Sequence, residues 1–137
     1  AARGIQCLRP AETIMAAMCS LSQHTTEGWS HCFVGATIGA DSLETWSRGL
    51  ERFNAVRATK NPAQFCDVDY FELIRDPIGT VENIYAHFGI ELTDDARAAI
   101  ERTDDDSKQG PRAPKHTYSL ADYGLTEDQV KERFAGL

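Results

Sequence analysis

Two stretches without acidic residues interrupt an otherwise acidic chain. Residues 1–10 carry Arg3 and Arg9, and residues 107–116, Ser-Lys-Gln-Gly-Pro-Arg-Ala-Pro-Lys-His, carry Lys108, Arg112 and Lys115. Arginine offers a planar fork of donors that matches a phosphate or sulfate. Arg9 lies between the apolar run Ile5-Gln6-Cys7-Leu8 and Pro10, a residue suited to the first turn of a helix. A strand end, an arginine and a helix start together favour an anion, because the helix dipole and its unpaired N–H groups point there. The other reading of residues 107–116 is a solvated loop that offsets the neighbouring acids Asp104-Asp105-Asp106.

Other reactive side chains form weaker patterns. His24 and His31 are seven residues apart with no third ligand at a helical offset, so structural or surface roles are expected and no metal site. Glu12, in the first turn after Pro10, complements a helix dipole. Cys7, Cys19, Cys32 and Cys66 contain no C-x-x-C pair and have spacings of 12, 13 and 34. That is a poor zinc signature, and reduced, mostly buried thiols in a cytoplasmic protein are expected. No residue is singled out as a catalytic base.

The elements that must hold these groups follow from apolar spacing. Residues 5–8 read as a short strand. Ile14, Met15, Met18 and Leu21 recur at helical spacing, which predicts a helix over 10–23. Residues 25–39 contain Gly28, Gly35 and Gly39 and read as a loop anchored by Trp29 and Phe33. Asp41-Ser42-Leu43-Glu44 has the form of a capping box. Leu43, Trp46, Leu50 and Phe53 then predict a helix over 42–59, with Trp46 and Phe53 in the core. Residues 65–70 read as a second strand, and the helical stretch between the strands implies parallel pairing. Asp76-Pro77 opens a helix whose apolar face is Ile78, Val81, Ile84, Tyr85 and Phe88, ended by Gly89, with His87 exposed. Thr93-Asp94-Asp95 opens another, to about residue 103, with Ala96, Ala99 and Ile100 inward. Residues 104–117 read as a long polar loop, pinned by Tyr118, Leu120 and Tyr123. Thr126-Glu127-Asp128-Gln129 caps a last helix with Val130 and Phe134 inward.

Length and charge narrow the function. The chain has 137 residues, 42% hydrophobic and 26% charged, with 14 Lys+Arg against 21 Asp+Glu and a net charge of −7. One globular domain over residues 1–137 is expected. The acidic balance argues against a nucleic-acid partner, and no apolar run is long enough to span a membrane. Two strands make an incomplete sheet, so the chain is expected to be the later part of a longer fold.

Several segments, taken in order, resemble the bacterial, actinobacterial-type sulfotransferase family. Arg9-Pro10-Ala11-Glu12-Thr13-Ile14 with Cys19-Ser20-Leu21 resembles its strand-loop-helix segment, where the family typically reads Arg-Asp-Pro followed by a helix serine. Leu43-Glu44-Thr45-Trp46-Ser47-Arg48-Gly49-Leu50-Glu51-Arg52 looks like its next helix. Val68-Asp69-Tyr70, Asp76-Pro77-Ile78-Gly79-Thr80-Val81 and Ile84-Tyr85-Ala86-His87-Phe88-Gly89 look like its later strand and helix. Residues 115–125, Lys-His-Thr-Tyr-Ser-Leu-Ala-Asp-Tyr-Gly-Leu, are similar to its C-terminal loop. The resemblance runs over about residues 5–137.

What the resemblance implies is the C-terminal portion of an α/β, P-loop-like fold, mostly helical with two short parallel strands. It implies a donor, 3′-phosphoadenosine-5′-phosphosulfate (PAPS), whose sulfuryl group passes to a small-molecule acceptor hydroxyl or amine. Arg9 and Ser20 match the residues that hold the donor's 3′-phosphate, and Arg112, Lys115 and His116 fall in the loop that closes over the nucleotide. Three departures from the family pattern bear on this. The N-terminal phosphosulfate-binding loop is absent, and so is the upstream segment that carries the catalytic base. The aspartate between Arg9 and Pro10 is missing. One extra residue precedes Cys19-Ser20-Leu21, and one residue turns a helix by about 100°. Two other functions stay open: a non-catalytic helical module that binds a partner or dimerises through exposed apolar surface, and a degenerate remnant.

Overall fold

The structure, a computed structural model, describes residues 2–109 and 118–137. Arg112, Lys115 and His116 lie outside the described residues. The chain divides into two compact units, each assembled from two stretches of sequence: Ala1–Arg9 with Lys60–Lys115, and Pro10–Thr59 with His116–Leu137.

The first unit is built on two parallel strands, β1 (Gly4–Leu8) and β2 (Phe65–Asp69), paired from Gly4 opposite Phe65 to Leu8 opposite Asp69. The parallel pairing expected from the sequence is present, and the chain has the mostly helical, two-strand α/β architecture anticipated above. Tyr70, expected to close the second strand, instead opens the short helix α3 (Tyr70–Arg75). The cause is Asp69, whose carboxylate accepts the N–H groups of Phe71 at 2.8 Å and Glu72 at 3.0 Å and so turns the chain from strand to helix.

Helix α4 (Pro77–His87) follows, and it starts as its sequence demands. Asp76 accepts the Gly79 N–H at 2.9 Å, Pro77 fills the first helical position, and a side chain at Gly79 would collide with the Asp76 carboxylate. Helix α5 (Asp94–Gln109) runs past its expected end, through the acid cluster. There the Ser107 hydroxyl donates to the Asp104 carbonyl at 2.7 Å, and Lys108 pairs with Asp104 one turn away. An Arg97–Glu82 ion pair links α5 to α4.

The second unit contains α1 (Ala11–Thr26), α2 (Ala36–Arg57), a 3-10 turn (Leu120–Tyr123) and α6 (Glu127–Phe134). Met15, Cys19, Ile38, Tyr123, Leu125 and Val130 form one buried cluster, with Phe33, Leu43, Leu120 and Phe134 packed against it. Thr126 and Gln129 make the predicted capping box, the Gln129 N–H donating to the Thr126 hydroxyl at 3.2 Å and the Thr126 N–H to the Gln129 side chain at 2.9 Å.

Two expectations about α2 fail. It begins at Ala36 rather than residue 42, so Asp41-Ser42-Leu43-Glu44 lies inside the helix and caps nothing. Glu44 instead faces Arg133 of α6, whose guanidinium also donates to Glu51 at 2.7 Å. The buried side of α2 is Ile38, Gly39, Ser42 and Ser47, while Trp46 is 46% exposed and Phe53 is also exposed. The reason is close approach. A Cβ at Gly39 would run into the carbonyl oxygen of Tyr123, so the helix can sit there only on small residues. Gly39 reads as a loop residue in the sequence, yet it is a packing residue. Trp29, expected as an anchor, is 89% exposed; Phe33 does reach the core.

Candidate functional site

β1 and β2 run the same way, so their carboxyl ends lie side by side. The first residue past β1 is Arg9 and the first past β2 is Tyr70; their predecessors, Leu8 and Asp69, are register partners. The Arg9 guanidinium carbon lies 4.4 Å from the centroid of the Tyr70 ring, within cation–π range. The Tyr70 ring is half-buried and braced edge-on by Phe71, with centroids 5.6 Å apart. Arg9 itself is exposed. Tyr70 was read from the sequence only as a strand former. Aligning the two strands by their ends places it beside Arg9.

A recess of about 300 Å³ lies along β2 and the start of α4, lined by Asp67, Asp69, Glu72, Arg75 and Asp76 among others. Four carboxylates against one guanidinium make it a poor seat for an anion. Arg75 is moreover paired with Glu72.

Ser20 belongs to the second unit. It is one of the four α1 residues turned inward, with Met15, Ala16 and Cys19, and is 8% exposed. Its carbonyl accepts the Nδ1–H of His24 at 2.8 Å, a contact that closes the last turn of the helix. The residue as a whole thus presents little surface to a solvent-borne ligand. Pro10 stands at the N-cap of α1 and no side chain caps the helix, as the missing aspartate leads one to expect. Glu12 sits in that first turn, as a dipole partner should.

The remaining candidates are structural or exposed. His31 is exposed, and no group of three or more His, Cys, Asp or Glu among the described residues could hold a metal ion. The cysteines are free thiols; Cys19 and Cys66 are buried, but Cys7 and Cys32 are exposed, so the expectation of mostly buried thiols holds for half of them. Burial pushes the Cys19 thiol above its ordinary range, partly offset by a hydrogen bond with Ser42. No helix among the described residues is long and apolar enough to cross a membrane.

Comparison with known proteins gives a consistent set of likenesses. A family model described as the sulfotransferase family matches residues 1–95. The crystal structure of sulfotransferase STF1 from Mycobacterium tuberculosis H37Rv is similar, with a TM-score of 0.83 and 62% identity over 97% of this chain and 33% of that one. The crystal structure of sulfotransferase STF9 from Mycobacterium avium has a TM-score of 0.74 at 23% identity, over 96% of this chain and 34% of that one, a likeness of fold. The chain thus spans about one third of the length of either solved protein. No curated protein matches it.

Proposed function

Because this chain belongs to the sulfotransferase family, we propose that it supplies the 3′-phosphate side of a PAPS site in a sulfuryl transfer to a small-molecule hydroxyl or amine. The observation that carries the proposal is Arg9, exposed just past the carboxyl end of a parallel strand with its guanidinium carbon 4.4 Å from the Tyr70 ring centroid. Ligands of open α/β sheets gather at strand carboxyl ends, and Arg9 is the residue that matches the family's phosphate-holding arginine. Ser20 would be the second donor by the same match. Its burial leaves Arg9 as the principal contact. Arg112, Lys115 and His116 would close over the nucleotide, adding positive charge from a segment free of acids.

Sulfuryl transfer leaves little covalent work to the protein. By analogy with phosphoryl transfer, the enzyme positions donor and acceptor and stabilises charge on the transferred group and the leaving phosphate. The proposal gives this chain the positioning of the donor and assigns it no catalytic base. Its cytoplasmic placement follows from the soluble nucleotide donor.

Calorimetry with adenosine 3′,5′-bisphosphate tests it. The expected result is saturable heat that falls at least ten-fold in affinity in Arg9→Ala, as loss of a hydrogen bond to a charged group warrants. Millimolar nucleotide that gives neither heat nor a rise in melting temperature overturns it.

A second reading is favoured by the exposed apolar side of α2, where Trp46, Phe53 and Val56 recur at helical spacing. It is a homodimer formed through that surface, without catalysis. Light scattering that returns a monomer at high concentration, with Trp46→Glu unchanged, removes it.

A further inference from the structure

We infer that a pocket at the carboxyl end of α1, in the second unit, binds a small organic ammonium ion with an apolar body. None of its lining residues belongs to the first unit, so the inference stands apart from the reading of Arg9. The pocket, about 230 Å³, lies between the last turn of α1 and the loop 27–35, and Gln23, Thr26, Glu27, Ser30, His31 and Phe33 are among its lining residues. Local hydrogen bonds give it its shape. The N–H groups of Trp29 and Ser30 donate to the Thr26 carbonyl at 3.0 and 3.3 Å and turn the chain at the helix end. The Ser30 hydroxyl accepts the Phe33 N–H at 3.1 Å, and the Thr26 hydroxyl donates to the Ser22 carbonyl at 2.9 Å.

The charge of the site selects its ligand. The Glu27 carboxylate forms no hydrogen bond or ion pair with any described residue. No lysine or arginine lines the pocket. The carboxyl end of a helix carries the negative pole of its dipole, and α1 is 16 residues long. Carboxylate and pole together attract a cation and repel a phosphate or sulfate. Phe33 packs against the buried cluster, which fixes it as an apolar wall, and Val34 lies beside it. An apolar wall with a few placed polar groups is the usual composition of a small-molecule site. An ammonium group on an aromatic body uses both the carboxylate and the wall. A metal ion would use the carboxylate alone, and among the described residues no group of three or more His, Cys, Asp or Glu could hold one.

The test is an NMR titration of the isotope-labelled full chain at pH 8 with 2-phenylethylammonium, 2-phenylethanol and 3-phenylpropanoate. The three share an aromatic body and differ in charge. The ammonium should give saturable shifts of the Gln23, Glu27, Ser30 and His31 amides, with a Kd of roughly 1–10 mM for so small a ligand. The alcohol should bind at least about five-fold more weakly and the carboxylate not at all. Glu27→Gln should weaken ammonium binding by a similar factor, as loss of a charged hydrogen-bond partner warrants. Equal affinities for ammonium and alcohol overturn the inference, as does unchanged affinity in Glu27→Gln. Shifts that do not saturate, or that fall equally on the acids of α5, reveal non-specific attraction and overturn it too. The three-ligand comparison on the parent decides the matter should Glu27→Gln fail to fold. A parent that binds the ammonium but not adenosine 3′,5′-bisphosphate keeps this inference and loses the Arg9 reading.

Discussion

In the second unit Met15, Cys19, Ile38, Tyr123, Leu125 and Val130 bury one another, and glycines let α2 and the Leu120–Tyr123 turn meet backbone to backbone. In the first unit only Cys66 and Val68 of the described residues are buried, and Ile5 and Leu8 of the same two-stranded sheet stand exposed. Yet the proposed anion contact belongs to that thinly packed sheet, at the tip where Arg9 meets Tyr70. A two-stranded pair is marginal by itself. It persists here through local devices: the Asp69 and Asp76 caps, the Arg97–Glu82 pair and the parallel ladder. The lesson is that close packing and the proposed anion contact belong to different units. One unit is fixed by close packing, the other by caps and hydrogen bonds that leave its tip accessible.

The sharpest way to break that contrast is Gly39→Val. The new side chain would collide with backbone, which cannot swing away, so the expected loss is at least ~3 kcal/mol, the top of the range for overpacking, read as a collapsed or absent urea transition. A variant as stable as the parent would mean that α2 does not lie where it is described. Next, Met15→Ala should cost about 2–5 kcal/mol as a core cavity, and Val68→Ala about 1.5–3 kcal/mol. If Val68→Ala were the costlier, the ranking of the two units would be reversed. The smallest effect is on thiol chemistry. At pH 8 iodoacetamide should label Cys7 and Cys32 quickly and leave Cys19 and Cys66 until the chain unfolds. Because burial raises the Cys19 thiol, the folded state holds that proton more tightly than the unfolded one. Its contribution is complete below about pH 8.5, the ordinary thiol value, and declines as the pH rises further. Fast labelling of Cys19 would contradict its burial.

What could be read from the chain alone was what local rules decide. Pro77 after Asp76, the capping box at Thr126, and the two strand-forming runs around Cys7 and Cys66 all specify their structure within a few residues. What could not be read depends on partners distant in sequence. Gly39 and Gly35 resemble loop punctuation, and only the approach of Tyr123 shows why α2 needs a glycine there. Trp46 and Phe53 fit an amphipathic period as well as the true inner stripe does, and that stripe contains serines which periodicity ignores. Arg9 was legible as a candidate because an isolated arginine between a strand and a proline is chemically conspicuous. Tyr70 was not, since its partner lies 61 positions away, brought near by strand register. Arg112, Lys115 and His116 remain assignments from resemblance.

The most direct test of the central claim, that Arg9 holds a nucleotide 3′-phosphate, is an NMR titration of the isotope-labelled chain with adenosine 3′,5′-bisphosphate and, in parallel, adenosine 5′-monophosphate. The account predicts saturable shifts at Arg9 and Tyr70 with the bisphosphate and much weaker ones with the monophosphate, which lacks the 3′ group. Equal responses to the two nucleotides, or shifts that leave Arg9 and Tyr70 unmoved, would contradict it.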